Sequence, residues 1–596
     1  MRCHPFPSRS DQSGFALLVT MGFLTVSLVA YSSLMYWVTS NAKVTKRNNL
    51  FNQSQAAAES ATESVLATMM RDFNNQSLNP ASTYTVAANL PSQSGWPVSF
   101  VFSDTNGVTN ATSVIAIGTK SWTQLPARYS GLYGWGQNWV ISSTATPQNV
   151  GENLSATISQ NVWFGSIPVF QYAIFYNMDL EINPGAAFNV AGRVHSNNNI
   201  YATGNSSAAP LTFSNYVEAA TKYYSTPDPL DPQNVGRSGN VNFTINVNNP
   251  QYPAQTLSLP VGTNNNPAAV IGILGIPPAG TDPSSPLGQG YEYNMADIII
   301  TNSYTNGLTV YYQNFNQSPY WTVVPMDATN FVGGTNRYYS FVTNVTFYDY
   351  RELDTVKAVQ LDVGKFNTWL TNTTGQYFNN LNATNPITKK GHGINGVYVY
   401  NGVQTSGSQL PAVRVMNGAQ LPTNGLTVAT QFPIYVMGDY NTTTNGVNFS
   451  TTLGDTVNTR PAGLMGDAVT VLSATWNGKD STYVSGYPLN SRTAANITIN
   501  AACLEGIVPS NGANYSGGVE NFLRLLENWS GYTVTYNGSI VVLFQSQYAT
   551  SFWGNSTYYN APTRKWGFDT KFNQQSGLPP MTPQVRATIR GSWATQ

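Results

Sequence analysis

Few residues in this 596-residue chain have the type and spacing that chemistry needs. Asp179 and Glu181 stand two apart in an alternating run, so on a strand both would project to one face. Such a pair can supply a proton donor and a base, or hold a cation. The favoured reading is the solvated side of a strand. Asp349, Arg351, Glu352 and Asp354 crowd one short stretch and offer either a Ca²⁺ site or a salt-bridged turn. His195 has no Ser or Cys nucleophile context and reads as a structural histidine, and Gly391-His392-Gly393 reads as a turn. No Gly-x-Ser-x-Gly, phosphate loop, dinucleotide fingerprint or zinc-helix motif occurs. The histidines (His4, His195, His392) are too scattered for a metal cluster. Cys3 and Cys503 make neither a disulfide framework nor a zinc site. The expectation is a non-catalytic chain with no resident metal or cofactor. The enzyme alternative, a β-solenoid polysaccharide lyase or hydrolase, would need a cation or sugar near Asp179, Glu181 or the 349–354 group.

The elements that position these residues are read from composition and pattern. Basic and acidic residues number 27 each, and charged residues make up 9% of the chain, against roughly a quarter in an ordinary soluble domain. Apolar residues reach 41%, so the chain can build cores and is not a disordered polar segment. Asn, Thr, Ser, Gly and Tyr take the place of Lys and Glu, a surface suited to an exported protein. Zero net charge with no basic run excludes a nucleic-acid partner, because phosphate binding needs clustered Lys and Arg. Asn-x-Ser/Thr sequons are numerous, close to what chance gives in so Asn-rich a chain.

Between Asp11 and Lys43 no residue is charged, and an apolar run extends from Phe15 to Val38. As a helix it would span about 36 Å, enough for a hydrocarbon core of roughly 30 Å. Arg2 and Arg9 precede it and Lys43, Lys46 and Arg47 follow it, so charge gives no orientation. Three readings are open. A secretory signal has a shorter apolar region and a small-x-small site, which Tyr31, Tyr36 and Trp37 do not provide. A plain signal anchor would leave the run uncut. Cleavage before the run, after Ser13-Gly14, would make Phe15 the new N-terminus.

That third arrangement, a short basic leader ending in Gly14 followed by Phe15-Ala-Leu-Leu, resembles the prepilins of type IV pili and type II secretion systems. Downstream, Arg47, Asn48 and Phe51 lead into Ala57-Ala58-Glu59-Ser60-Ala61, similar to PilX-like minor prepilins. The resemblance covers about residues 9–70. It implies processing at Gly14 and Phe15 by a prepilin peptidase, with N-methylation, and insertion through Phe15, Leu17, Leu18, Val19, Phe23, Leu24 and Leu28. It also implies partners in pilin-like subunits and an inner-membrane assembly platform, and a route from the inner membrane to the periplasm or bacterial cell surface. Major pilins carry Glu at the fifth mature position, where this chain has Val19. The departure points to a minor, tip or initiating subunit.

Phe51, Ala58, Ala61, Val65, Met69 and Phe73 form a helical stripe, with Glu59 and Glu63 together on a solvated side. Helical throughout, residues 15–73 would make a rod of about 90 Å. The expected division is a leader at 1–14, the transmembrane and stalk helix at 15–73, and a small antiparallel β domain at 74–167. A first part of a β-solenoid follows at 168–214 and an inserted β-rich subdomain at 215–390. The rest of the solenoid occupies 391–596. The fold class is therefore mainly β with a long N-terminal helix. A parallel solenoid is favoured over a sandwich because short strands cut by Gly and Asn outnumber hairpins. Within 347–370 a strand leads to a short helix, a second helix is expected at Glu520–Trp529, and Thr563–Gln596 reads as a wrap over the last coils. The function expected is that of a non-catalytic minor pilin or pseudopilin-like subunit. Its aromatic, Asn-rich head would suit adhesion, with surface glycans as candidate partners. The alternative is an anchored envelope β-solenoid that never enters a filament.

Overall fold

The computed structural model describes residues 13–595, except 76–77, 127–128, 153, 260–264, 315–319, 330–336, 373–391, 404, 408, 449–452, 454–455, 477–484 and 555–556. Leader residues 1–12, including Arg2, Cys3, His4 and Arg9, lie outside the described residues, as does Gly391. One helix, α1 (Ser13–Asn75), takes in the apolar run and the amphipathic stretch without a break. Its two halves have different surroundings. From Phe15 to Val38 the large apolar side chains are exposed, whereas Leu50, Ala57, Ala58, Ala61, Val65, Leu66 and Met69 are buried. The buried stripe begins at Leu50; Phe51, expected in it, is 38% exposed. Small residues at 57, 58 and 61 bring the helix backbone close to its partner sheet. Val65, Leu66 and Met69 then bury side chains worth about 1.5–3 kcal/mol each.

That partner is an antiparallel sheet of β1 (Phe100–Ser103), β2 (Ser113–Gln124), β3 (Tyr133–Pro147) and β4 (Ala156–Pro168), with a fifth strand, Gln584–Thr595. The order is β1–β3–β4–(584–595), and β2 also pairs with β3. The inward-facing residues Ile141, Ala145, Ile158, Val162 and Phe164 pack under α1. Trp163 lies over the backbone of Gly136 and Gly165, where any side chain would collide with its ring. The strand Gln584–Thr595 corrects the expected wrap: it closes this sheet instead of covering later strands. Glu63 is likewise not simply solvated, because Arg590 of that strand binds both its oxygens at 2.7 and 2.9 Å.

The rest of the chain stacks short parallel strands. One ladder runs in the order 217–219, 194–196, 174–176, 540–545, 502–507, 462–465, 426–429, 396–402 and 298–303, and ends in two antiparallel strands, 307–313 and 321–323. The chain thus steps outward over three strands, crosses to the far end, and returns until Ile540 pairs with Ile174. A single row of paired positions contains Ile298, Val397, Val428, Leu464, Cys503, Ile540, Ile174, Val194 and Val217, all buried. Each strand therefore supplies aliphatic surface to the same core. A second ladder joins Val342–Asp349, Asp354–Asp362, Gln409–Met416, Ile434–Met437, Val469–Leu472 and Leu523–Leu525. As expected, the strand at 354–362 leads into a helix, Val363–Thr371, capped by the Asp362 carboxylate.

Asparagine has a visible task at the ends of the stacked strands. Asn441 bonds Asn500 through backbone carbonyls in both directions at 2.8 and 3.0 Å, and Asn537 Nδ2 donates to Asn500 Oδ1 at 2.8 Å. The pair Asn302–Asn401 stacks in the same way at 3.0 Å. Amide side chains thus satisfy buried backbone carbonyls and one another at the strand ends, without introducing charge. The helix expected at Glu520–Trp529 does not form. A 3₁₀ turn at Gly518–Asn521 and the strand Leu523–Leu525 take its place, and the second ladder uses Leu523 and Leu525.

Candidate functional site

The bare half of α1 is the first candidate. Phe15, Leu17, Leu18, Phe23, Leu24 and Leu28 are each at least 59% exposed, and Val19 is 40% exposed. Among the described residues this is the one helix long and apolar enough to cross a membrane, and none of its most apolar window is buried. Four of its hydroxyls are satisfied within the helix: Thr20, Thr25, Ser32 and Thr39 each donate to a carbonyl of the preceding turn. Lipid imposes that requirement, since no solvent hydrogen bond is available there. Gly14 has nothing packed against it.

The expected ligand carboxylates lie in the head. Asp179 is half-buried and its Oδ1 accepts from the Asn199 amide at 3.0 Å. Glu181, two residues on, is 5% exposed instead of solvated. Its carboxylate accepts from Ser510 Oγ at 2.9 and 3.0 Å and from Ser516 Oγ at 2.9 Å. Burial pushes its pKa up to about 8 despite those donors, and Asp228 and Asp231 add to the shift. Gly518, at φ +49°, lies over it, and any side chain there would strike the Glu181 carbonyl.

The 349–354 group is a braced turn. Asp349 Oδ1 accepts the Arg351 and Glu352 amides at 2.7 and 2.9 Å, and Tyr435 Oη donates to its Oδ2 at 2.6 Å. Burial, with Glu352 beside it, holds Asp349 above the usual carboxylate range. Arg524 Nη1 pairs with Glu352 Oε1 at 2.9 Å, both side chains buried, while Glu352 Oε2 accepts from the Ser551 amide at 2.9 Å. Asp354 sits at the rim, half-buried. Asp467 accepts three backbone amides from Gln547, Tyr548 and Ala549, and Glu505 accepts from Val469 N.

The two groups are one network. Arg351 Nη1 donates to Asn521 Oδ1 at 2.7 Å, Asn521 Nδ2 donates to the Ser516 carbonyl at 2.7 Å, and Ser516 Oγ reaches Glu181. Sequence reading found Glu181 and the 349–354 residues but missed Ser510, Ser516, Arg524, Tyr435, Asp467 and Glu505. No local pattern marks these, since each is recruited over scores of residues. Every oxygen of Asp349 and Glu352 described above is already engaged. Among the described residues no group of three or more His, Cys, Asp or Glu side chains could hold a metal ion.

His195 is buried, stacked on Phe175 at 5.3 Å, with Nε2 at 3.0 Å from Asn197 Oδ1 and Nδ1 at 3.7 Å from Glu218. Glu218 also pairs with Arg193 at 3.0 Å. His392 Nδ1 rests on the Gly393 carbonyl at 2.8 Å. Cys503 is a buried free thiol whose pKa burial raises, a small apolar group in the aliphatic row.

No family model matches the sequence, and no curated protein matches it. Among solved structures, the competence-associated pilin ComZ from Thermus thermophilus is similar at 9% identity, covering 81% of this chain and 87% of that one, with a TM-score of 0.23. A superposition that loose carries no argument, so the functional reading rests on the residues and geometry described above.

Proposed function

We propose that the chain is a membrane-anchored, non-catalytic subunit of minor-pilin type that presents a large β head at the bacterial surface. The carrying observation is the division of α1: its second half is buried on its own sheet, while the apolar first half has no partner among the described residues. Lipid covers such a surface before assembly, and the helices of neighbouring subunits cover it in a filament core. In this reading a prepilin peptidase cuts after Gly14 and frees the Phe15 amine. Leu17, Leu18, Val19, Phe23, Leu24 and Leu28 then face lipid and, after assembly, other pilin-like subunits. Val19, where major pilins have Glu, fits a tip or initiating role. The stacked parallel ladders, with one aliphatic row across nine strands and Asn stacks at the strand ends, support a β-solenoid head. A head with so few charges suits adhesion by stacking and hydrogen bonding.

The test is mass spectrometry of the N-terminal peptide of protein purified from its native envelope. A chain beginning at Phe15, especially N-methylated, is the expected result. One beginning at Met1 refutes the pilin reading and leaves an anchored head; one beginning beyond Ala30 leaves a secreted head.

A further inference from the structure

A group of cations stands on α1 just past its apolar run. Lys43, Lys46 and Arg47 occupy positions i, i+3 and i+4, so they share one side of the helix. Charged residues are only 9% of this chain, and no acidic residue occurs between Asp11 and Glu59, so nothing nearby on the helix balances them. They lie on a bare neck: every residue from Thr39 to Asn49 is exposed, and burial against the sheet begins at Leu50. Arg47 is tied to the head, its Nε 3.3 Å from Glu152 Oε2. Lys43 and Lys46 have no ion-pair or hydrogen-bond partner among the described residues.

Their height along the helix identifies what they meet. At 1.5 Å per residue, the contact of Arg47 with Glu152 places the floor of the head about 14 Å beyond Val38, the end of the apolar run. A bilayer about 40–45 Å thick with a hydrocarbon core of about 30 Å has a headgroup layer of about 5–8 Å on each side. Lys43 and Lys46 stand about 8 and 12 Å past Val38, in the slot between hydrocarbon and head. Tyr36 and Trp37, 78% and 63% exposed, mark the edge of the apolar run as interfacial aromatics do. Helical side chains lean toward the N-terminus, which here is the membrane end. The lysine stems therefore run back toward the bilayer and carry their ammonium groups into the phosphate layer.

A layer of phosphates complements cations strung along an open rod, with no pocket needed to hold them. We propose that Lys43 and Lys46 bind the phosphates of anionic phospholipids in the leaflet facing the head, and so fix the depth at which the anchor rests. Cleavage after Gly14 would sharpen this role, because it removes Arg2 and Arg9 and leaves these lysines with Arg47 as the first basic side chains of the chain. The inference rests on the membrane-anchored reading above and adds its lipid partner.

The full chain is reconstituted in phosphatidylcholine vesicles with spin-labelled phosphatidylglycerol or spin-labelled phosphatidylcholine as the probe. The immobilised fraction, read by electron paramagnetic resonance, gives their relative association with the helix. An attraction worth about fivefold per lysine, averaged over all the lipids round the helix, should leave a preference of about threefold for phosphatidylglycerol at low salt. Salt at 1 M, which screens charges within about 3 Å, should abolish it. Lys43→Gln/Lys46→Gln should bring the two lipids level, and Lys43→Arg/Lys46→Arg should keep the preference. Neither lysine touches the head, so both variants should unfold at the wild-type temperature. Equal association of the two lipids with the wild-type chain overturns the proposal, and so does a preference unchanged in the Gln variant. A chain that an alkaline wash strips from the vesicles overturns the anchored reading itself. One that stays inserted without a headgroup preference loses only its lipid partner.

Discussion

Glu181 makes stability depend on pH with a sign opposite to that of most paired carboxylates. In the folded chain its pKa stands at about 8, against an ordinary value of 4.5. Below 4.5 the group is protonated in both folded and unfolded chains, and its contribution is fully present. As pH rises from 4.5 through 8, the unfolded chain ionises first and stability falls; above 8 the loss is complete. At about 1.4 kcal/mol per pH unit, the whole loss is ~5 kcal/mol. Replacing Glu181 by Gln keeps an acceptor for Ser510 and Ser516 but cannot ionise. Gln leaves one N–H facing donors, a cost of about 1 kcal/mol at acid pH. The variant should therefore be slightly less stable than wild type at pH 4 and ~4 kcal/mol more stable at pH 9. Denaturant unfolding of both chains across that range, followed by tryptophan fluorescence, measures the difference. Taking the difference removes the contributions of the other buried acids, among them Glu520, raised to about 7. A difference that stays flat with pH, or that favours wild type as pH rises, would refute the assignment of a buried, protonatable Glu181.

Two further outcomes follow from other parts of the structure. Arg524→Met leaves Glu352 buried without its 2.9 Å partner and should cost about 3–5 kcal/mol; Glu352→Gln in the same chain should recover part of that loss in the same unfolding assay. Leu24→Arg places a charge in the middle of the apolar run, at about 2.5–3.5 kcal/mol against insertion, and should shift the protein from the membrane to the soluble fraction on envelope fractionation, with the head still folded.

The helix was the most legible element, because an uncharged run of this length has few solutions, and α1 takes in Phe15 to Phe73 without a break. Strands such as Gly396–Gly402 and Ile540–Gln545 could be read from their short β-branched and aromatic runs and from the Gly and Asn that bound them. Glu520–Trp529 misled because Leu523, Arg524 and Leu525 are all buried. A strand covered on both faces loses its period of two, and a short apolar run then reads equally as a helix. Glu181 was expected in solvent because its neighbours alternate with it. The serines that bury it come from more than 300 positions away, a distance over which no local pattern carries information. Asp349, Glu352 and Asp354 are neighbours in the sequence, but Arg524, the cation that pairs with Glu352, is 172 residues away.

The strand Gln584–Thr595 bears on the order in which the molecule can mature. Ser166 of β4 meets Gln584 across 418 residues, and until that strand is translated β4 keeps an open, unpaired edge. The anchor helix is made first and the last strand of its supporting sheet is made last, so an exported chain must hold this edge unsatisfied while the whole head is delivered. A chain cut short before Gln584 would retain the exposed edge and lose the Arg590 clasp on Glu63. Such an edge readily templates strand addition, so a chain lacking Gln584–Thr595 would be prone to pair β4 with strands of other molecules, a hazard the finished sheet removes.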